Sequence, residues 1–120
     1  MATTLYGITS CDTVKKARAW LAGHGVDYAF HDFRKQGVPA DRLDAWMRTP
    51  AAAKLLNRQG TTWRKLDTST QAGADNAAGA RALMLAQPSV IKRPVVEWAD
   101  GTVTVGFHPA SWALRKNARD

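Results

Sequence analysis

The sequence predicts an α/β fold built on a mixed four-stranded sheet with helices on its faces. Three features support this prediction. They are a strand–helix–strand unit between Thr3 and Phe33, a mostly helical segment at 39–87, and two valine-rich runs joined by Asp100-Gly101. The first unit implies two parallel strands, whereas Asp-Gly between two strand-like runs signals an antiparallel hairpin. A length of 120 residues corresponds to one domain, 1–120, with its own hydrophobic core.

The N-terminal unit begins with an apolar run at Thr3–Ile8, which is typical of a short buried strand. A helix is predicted over Cys11–Gly23, because apolar residues recur at helical spacing at Val14, Ala17 and Leu21. Val26–Phe33 alternates imperfectly and predicts the second strand, with Tyr28 and Phe30 on one face.

The middle of the chain is predicted to be a helical insertion at 39–87. A helix starts near Pro39 and carries an apolar stripe, and a short helical turn is expected within Ala51–Asn57. Arg58–Leu66 is interpreted as a solvated loop anchored by a buried Trp63. Asp67–Ala80 is expected to be a loop or a frayed helix, and Arg81–Gln87 a short helix.

The C-terminal part adds a hairpin of Pro94–Trp98 and Thr102–Phe107, followed by a helix from His108-Pro109. The complete order of elements is the thioredoxin arrangement with an inserted helical block. Cys11 then lies where the first strand passes into the first helix, at the edge of the sheet where such folds place their sites.

Cys11 is the only cysteine in the chain. The free N–H groups of a helix N-terminus favour an anion, so they should lower the pKa of a thiol placed there. Lys15 adds a positive charge one turn on, whereas Asp12 opposes the effect. The alternative is an inert cysteine that packs as a small hydrophobe.

The charge of the chain limits the possible partners. Its 17 Lys and Arg residues against 10 Asp and Glu give a net charge of +7. This charge is consistent with a solvated basic surface, and equally with an anionic substrate or an acidic partner. Nucleic acid ranks below a small anion, because the basic residues are dispersed and no binding motif is present. His24 and His31 have no companion ligands at a metal-site spacing, so no metal site is expected.

One cysteine cannot form an internal disulfide, and the sequence has no signal peptide and no membrane-length apolar window. We therefore expect a cytoplasmic monomer with no membrane association.

Four segments together resemble the arsenate reductase family of thioredoxin-fold proteins, in particular its arsenate-reductase-related branch, which is also similar to the Spx regulators. The segments are TLYGITSCDTVKKARAWL, LLNRQGTTWRKL, PSVIKRPVV and GTVTVGF. The resemblance implies that Cys11 is the nucleophile and that Lys15, Arg64 and Arg93 bind an anion. It also implies that Pro94 is the structural cis-proline of the family. From the residues alone, Arg64 and Arg93 could equally form surface ion pairs.

The sequence departs from the family pattern at three points. Gly7 stands where arsenate reductases carry a histidine, and His108 falls near their third arginine. No second cysteine accompanies Cys11 as in the Spx-type proteins. We therefore expect weak or absent arsenate reduction and no dithiol switch.

Two functions follow from the resemblance. The first is a glutathione-dependent thiol–disulfide reductase that uses Cys11 and has glutathione as co-substrate, with no bound cofactor. The alternative is an Spx-like binding module that contacts RNA polymerase without turnover.

Overall fold

The computed structural model describes the backbone of residues 2–119 and the side chains of residues 2–115. Its sheet has the strand order β2-β1-β3-β4, from β1 (Thr3–Gly7), β2 (Tyr28–Asp32), β3 (Val95–Glu97) and β4 (Val103–Val105). β1 pairs parallel with β2 and antiparallel with β3, and β3 pairs antiparallel with β4. The predicted mixed four-stranded sheet is therefore confirmed.

One face of the sheet is covered by helix α1 (Asp12–Gly23) and by the C-terminal helix, α8 (Pro109–Arg119). The apolar stripe of α1 packs on the sheet as its spacing predicts. Together with Trp112 of α8, it forms a core cluster with Leu5, Val96 and Trp98. Tyr28 and Phe30 of β2 pack against this cluster, as expected from their shared face.

The opposite face is covered by the helical segment between β2 and β3. It contains α2 (Phe33–Gln36), α3 (Ala40–Met47), α4 (Ala52–Leu55), α5 (Thr61–Arg64), α6 (Thr68–Gly73), α7 (Ala77–Ala86) and a 3-10 turn (Pro88–Val90). The core on this side is built around Tyr6, Phe33 and Trp46. No helix within residues 2–119 has the length and apolar character needed to cross a membrane.

The segment between β2 and β3 contains more helix than the sequence predicts. The expected loop at Arg58–Leu66 contains α5, and Trp63 is only partly buried, with the Arg58 guanidinium 5.1 Å from its ring centroid. Asp67 caps α6 by accepting from Thr70 N at 2.7 Å.

Helix α7 begins at Ala77 rather than at Arg81. Asn76 caps it by accepting a hydrogen bond from Gly79 N at 2.7 Å. Such caps accept hydrogen bonds from the free N–H groups of the first turn. A helix can therefore begin in a stretch whose apolar residues show little helical spacing.

A part-buried carboxylate joins this helical segment to the sheet. Glu97 on β3 accepts hydrogen bonds from the Tyr6 hydroxyl at 2.5 Å, the Trp46 indole at 2.9 Å and the Arg42 Nε at 2.8 Å. Burial raises the pKa of Glu97, but these three donors and the Arg42 charge outweigh it and hold the pKa below its ordinary value. The same burial, with the neighbouring carboxylate, raises the pKa of Tyr6.

We predict that Glu97→Gln lowers the free energy of unfolding by about 1–3 kcal/mol near neutral pH, because three donors lose a charged acceptor. Since folding lowers the Glu97 pKa, its stabilisation is present above the ordinary pKa of about 4.3 and is lost as the pH falls through the lowered value. Urea unfolding should show that the difference in unfolding free energy between Glu97→Gln and wild type decreases as the pH falls from 7 to 3. Asp44→Asn, which breaks a more exposed ion pair with Arg81, is the control and should cost less.

The end of β1 lies very close to α1. A Cβ built on Gly7 would lie 2.7 Å from Val14 Cγ2, and Val14 is fully buried. A larger residue at position 7 would therefore have to displace the start of the helix that follows Cys11.

Gly7→Ala should therefore destabilise the protein by about 1–3 kcal/mol through overpacking. Gly23→Ala is the matched control, because nothing lies within 4 Å of a Cβ at that position. Alanine also has the higher helix propensity, so this control should retain or gain stability. Equal losses in the two variants, measured by urea unfolding, would contradict this account.

Candidate active site

Cys11 occupies the N-cap position of α1, with extended backbone angles of φ −88° and ψ 122°. Its carbonyl accepts the first helical hydrogen bond, from Lys15 N at 3.0 Å. The side chain is half-buried and packs against the core clusters on both faces of the sheet. The thiol is therefore placed at the helix N-terminus, as predicted.

Opposing effects act on the Cys11 thiol. Burial raises its pKa, but the backbone N–H groups of Val14 and Thr13 and the hydrogen bond and charge of Arg93 outweigh it. The pKa of Cys11 is therefore lower than that of an ordinary cysteine. Because the thiolate is the nucleophilic form, this environment favours a reactive thiol over the inert alternative.

Cys11 opens into a cavity of about 330 Å³. The other lining residues are mostly polar or basic: Thr13, Asn57, Lys92, Arg93, Gly106, Phe107 and His108. They come from the start of α1, the loop after α4, the segment before β3 and the segment between β4 and α8. The site is thus assembled from four separate parts of the chain.

Arg93 is held beside the thiol by the backbone around it. The Arg93–Pro94 peptide bond is cis, the geometry expected from the resemblance, and Pro94 is buried. Arg93 Nη1 donates to the carbonyls of Ser89 at 3.2 Å and Ile91 at 3.4 Å. Its buried Nε has no hydrogen-bond partner among the described residues. The guanidinium therefore keeps bonding capacity and charge for Cys11 and for an anion.

The structure does not bring the other two predicted cations to this cavity. Lys15 on α1 and Arg64 on α5 are both exposed, and neither lines it. Arg64 belongs to a helix in place of the predicted loop, and that helix holds its side chain in solvent.

Asn57 and Lys92 lie in the cavity and were missed from the sequence. An isolated antiparallel bridge between Leu56 and Ile91 brings them there. Asn57 N donates to Val90 O at 2.7 Å, and Lys92 N donates to Leu55 O at 2.8 Å. Both residues lie inside segments that carry the family resemblance, LLNRQGTTWRKL and PSVIKRPVV, and this membership is their only signal in the sequence.

Gly106 lets two of these side chains close over the cavity. It has a positive φ of 89°, and a Cβ there would lie 3.0 Å from His108 Nε2 and 3.4 Å from Lys92 Cε. His108 and Lys92 therefore approach each other above a residue that must lack a side chain.

No group of three or more His, Cys, Asp or Glu side chains within the described part of the chain could hold a metal ion.

The model of the ArsC family matches residues 6–114, which include the whole of this site. The chain belongs to the ArsC family. An uncharacterised protein of Haemophilus influenzae is 37% identical over 105 residues, covering 88% of this chain and 90% of that protein. The regulator Spx of Streptococcus pyogenes serotype M6 is a more distant relative, 26% identical over 95 residues, covering 78% of this chain and 69% of Spx.

Solved structures of ArsC-related proteins share the fold over almost the whole chain. A protein named YFFB superposes with a TM-score of 0.85 and 48% identity, covering 94% of this chain and 97% of its own. An arsenate reductase related protein from Brucella melitensis is 53% identical with a TM-score of 0.73, covering 95% and 93% of the two chains. The thioredoxin-like fold predicted from the sequence is therefore confirmed.

We predict that Arg93→Ala raises the pKa of Cys11, because it removes a hydrogen bond and a positive charge that favour the thiolate. The midpoint of the pH dependence of iodoacetamide alkylation should move to higher pH. Lys15→Ala and Arg64→Ala are the controls and should leave the midpoint in place. An unchanged midpoint in Arg93→Ala, or the same shift in a control, would contradict the role given to Arg93.

Proposed function

We propose that this ArsC-family protein is a glutathione-dependent thiol–disulfide reductase in which Cys11 is the nucleophile. One observation carries the proposal: a thiol of lowered pKa faces a cavity lined by Arg93, Lys92 and His108. A low-pKa thiolate attacks disulfide sulfur, and the surrounding cations would hold an anionic partner.

The reaction consists of two thiol–disulfide exchanges. In the first, the Cys11 thiolate attacks the glutathione sulfur of a mixed disulfide, a new S–S bond forms, and the substrate thiolate leaves and takes a proton from water. In the second, the thiolate of another glutathione attacks the glutathione sulfur bound to Cys11. Oxidised glutathione is released and the Cys11 thiolate is restored. The net reaction converts one mixed disulfide and one glutathione thiol into the substrate thiol and oxidised glutathione.

The absence of a second cysteine from the sequence explains why an external thiol is needed. Glutathione suits the cavity because its two carboxylates can pair with Arg93 and Lys92, and charged pairs of this kind are among the stronger hydrogen bonds. The Cys11 thiolate is also a good leaving group in the second exchange, because the helix N–H groups and Arg93 stabilise it.

Arsenate is a weaker candidate substrate. The resemblance places an activating histidine at position 7, but here Gly7 packs against Val14 and leaves no space for a side chain. His108 lines the cavity near the position of the family's third arginine, so Arg93 is the one guanidinium among the lining residues, with Lys92 beside it. A tetrahedral oxyanion would therefore find one bidentate donor instead of several. We therefore propose that disulfides, and not arsenate, are the substrates.

The Spx relatives support a second candidate function, a regulator that contacts RNA polymerase without turnover. Spx is a global transcriptional regulator by name, and its similarity covers most of this chain. Affinity capture from a bacterial extract tests this candidate, because recovery of RNA polymerase by both wild type and Cys11→Ser would favour it over catalysis.

We predict that the purified protein reduces the mixed disulfide of glutathione and 2-mercaptoethanol in the presence of glutathione, and that Cys11→Ser abolishes turnover. Arg93→Ala should weaken glutathione binding by about tenfold, the loss expected for one charged hydrogen bond. Coupled oxidation of NADPH by glutathione reductase measures the rate, and calorimetry measures the affinity.

Arg64→Ala is the control for this assay, because Arg64 does not line the cavity. Arsenate supplied as the alternative substrate should give a rate well below that of the mixed disulfide. Turnover that survives in Cys11→Ser, or a rate with arsenate that exceeds the rate with the disulfide, would overturn the proposal.

A further inference from the structure

We propose that the free edge of strand β4 is a docking groove for an extended acidic peptide, and hence that the reductase acts on disulfides carried by acidic protein segments. This inference rests on the proposed function and adds a class of substrate to it. A peptide would pair with β4 as a fifth strand and place its cysteine at Cys11.

The groove is a second cavity, of about 310 Å³, beside β4. Val103, Thr104 and Val105 form its floor along the strand. One wall comes from the start of α4 and the residues before it, and the other comes from α8. The wall residues are Pro50, Ala51, Lys54, His108, Ser111, Trp112 and Arg115.

β4 has one unpaired side, because it ends the strand order of the sheet. Gly106 N donates to Pro94 O at 2.8 Å, and Trp98 N donates to Thr102 O at 2.8 Å. Along an antiparallel strand, the N–H and C=O groups of successive residues point alternately toward one neighbouring strand and away from it. Thr102 and Gly106 bond to the β3 side, so the N–H and C=O groups of Val103 and Val105 point away from β3. Val103 is partly exposed, so an added strand would find a donor and an acceptor there, whereas Val105 is only 4% exposed and offers little of the edge.

The groove adjoins the cavity that contains Cys11. His108 lines both cavities. Val105 pairs with Val95, which directly follows Pro94, so the C-terminal end of β4 lies at the same end of the sheet as Arg93-Pro94. A peptide paired along β4 would therefore extend to the end of the sheet where the Cys11 cavity lies.

The charge of the groove selects an acidic occupant. Lys54 stands on one wall and Arg115 on the other, and the lining residues include no acidic side chain. Arg115 Nη1 already donates to Asp100 at 3.3 Å, whereas Lys54 forms no salt bridge among the described residues. Lys54 is therefore the main attraction for a carboxylate, and it would repel the same edge of a second, equally basic copy.

The binding experiment uses Cys11→Ser, which cannot exchange disulfides, and three labelled ten-residue peptides. Each peptide carries one cysteine as the mixed disulfide with glutathione. The first alternates valine with glutamate, the second alternates valine with lysine, and the third is the glutamate peptide N-methylated on alternate backbone amides. Fluorescence anisotropy measures the affinity of each.

Two charge-reversed proteins complete the design. Lys54→Glu alters the groove, and Lys65→Glu makes the same change at an exposed lysine that does not line it. Both are made in the Cys11→Ser background for binding and in the wild-type background for activity.

We expect the glutamate peptide to bind at least tenfold more tightly than the lysine peptide and the N-methylated peptide. Lys54→Glu should weaken its binding about fivefold, as a reversed surface charge does, while Lys65→Glu leaves it unchanged. Turnover of the mixed disulfide of glutathione and 2-mercaptoethanol should remain at the wild-type rate in Lys54→Glu.

Equal affinity for the three peptides, or equal effects of Lys54→Glu and Lys65→Glu, would overturn the docking groove. A dimer in sedimentation that the glutamate peptide does not dissociate would overturn it as well, because a second copy would then occupy the edge. If the small mixed disulfide is turned over in any of these cases, the proposed function still stands. If the peptide binds but no disulfide is turned over, the proposed function fails and the groove remains.

Discussion

The close packing of the end of β1 against the start of α1 determines where the thiol lies. Gly7 approaches a buried Val14 so closely that no side chain fits between strand and helix. The short turn that follows must then place Cys11 at the N-cap, with its side chain between the two core clusters. The position of the Cys11 thiol is thus a consequence of core packing, and the lowered pKa of the thiol follows from that position.

The chemistry of the site depends on a balance of modest effects. Burial opposes ionisation of Cys11, and two backbone N–H groups and Arg93 overcome it. A thiol gains thiolate content as its pKa falls, but the thiolate becomes a weaker nucleophile at the same time, so lowering the pKa has opposing effects on reactivity. Arg93 lowers the pKa of Cys11 and lines the same cavity, so one guanidinium both stabilises the thiolate and shapes the space in front of it.

The helical insertion matters to the site because two long-range contacts fix it on the sheet. Glu97 links β1, β3 and α3 through Tyr6, Trp46 and Arg42, in a place where an unpaired carboxylate would be costly. The bridge between Leu56 and Ile91 joins the other end of the insertion to the segment before β3. Through that bridge Asn57 and Lys92 reach the cavity, so the helical insertion contributes to the surroundings of the Cys11 thiol.

The sequence by itself determined the order of elements, the mixed sheet and the place of Cys11, because these follow from local patterns. Periodic apolar residues specify α1, and Asp100-Gly101 specifies the hairpin, since both depend on neighbours within a few residues. The helix content of weakly periodic stretches such as 67–80 was underestimated from the sequence. The helices there depend on single capping side chains, Asp67 and Asn76.

Only the tertiary structure decided which basic and polar residues accompany the thiol. Lys15 is close to Cys11 in sequence yet lies outside the cavity, whereas Asn57, Lys92 and His108 are distant in sequence and lie inside it. Helix geometry turns Lys15 to solvent, and a bridge between residues 35 positions apart, Leu56 and Ile91, brings two of the others in. No local pattern encodes such pairing, because its free energy comes from contacts that exist only once the chain has folded.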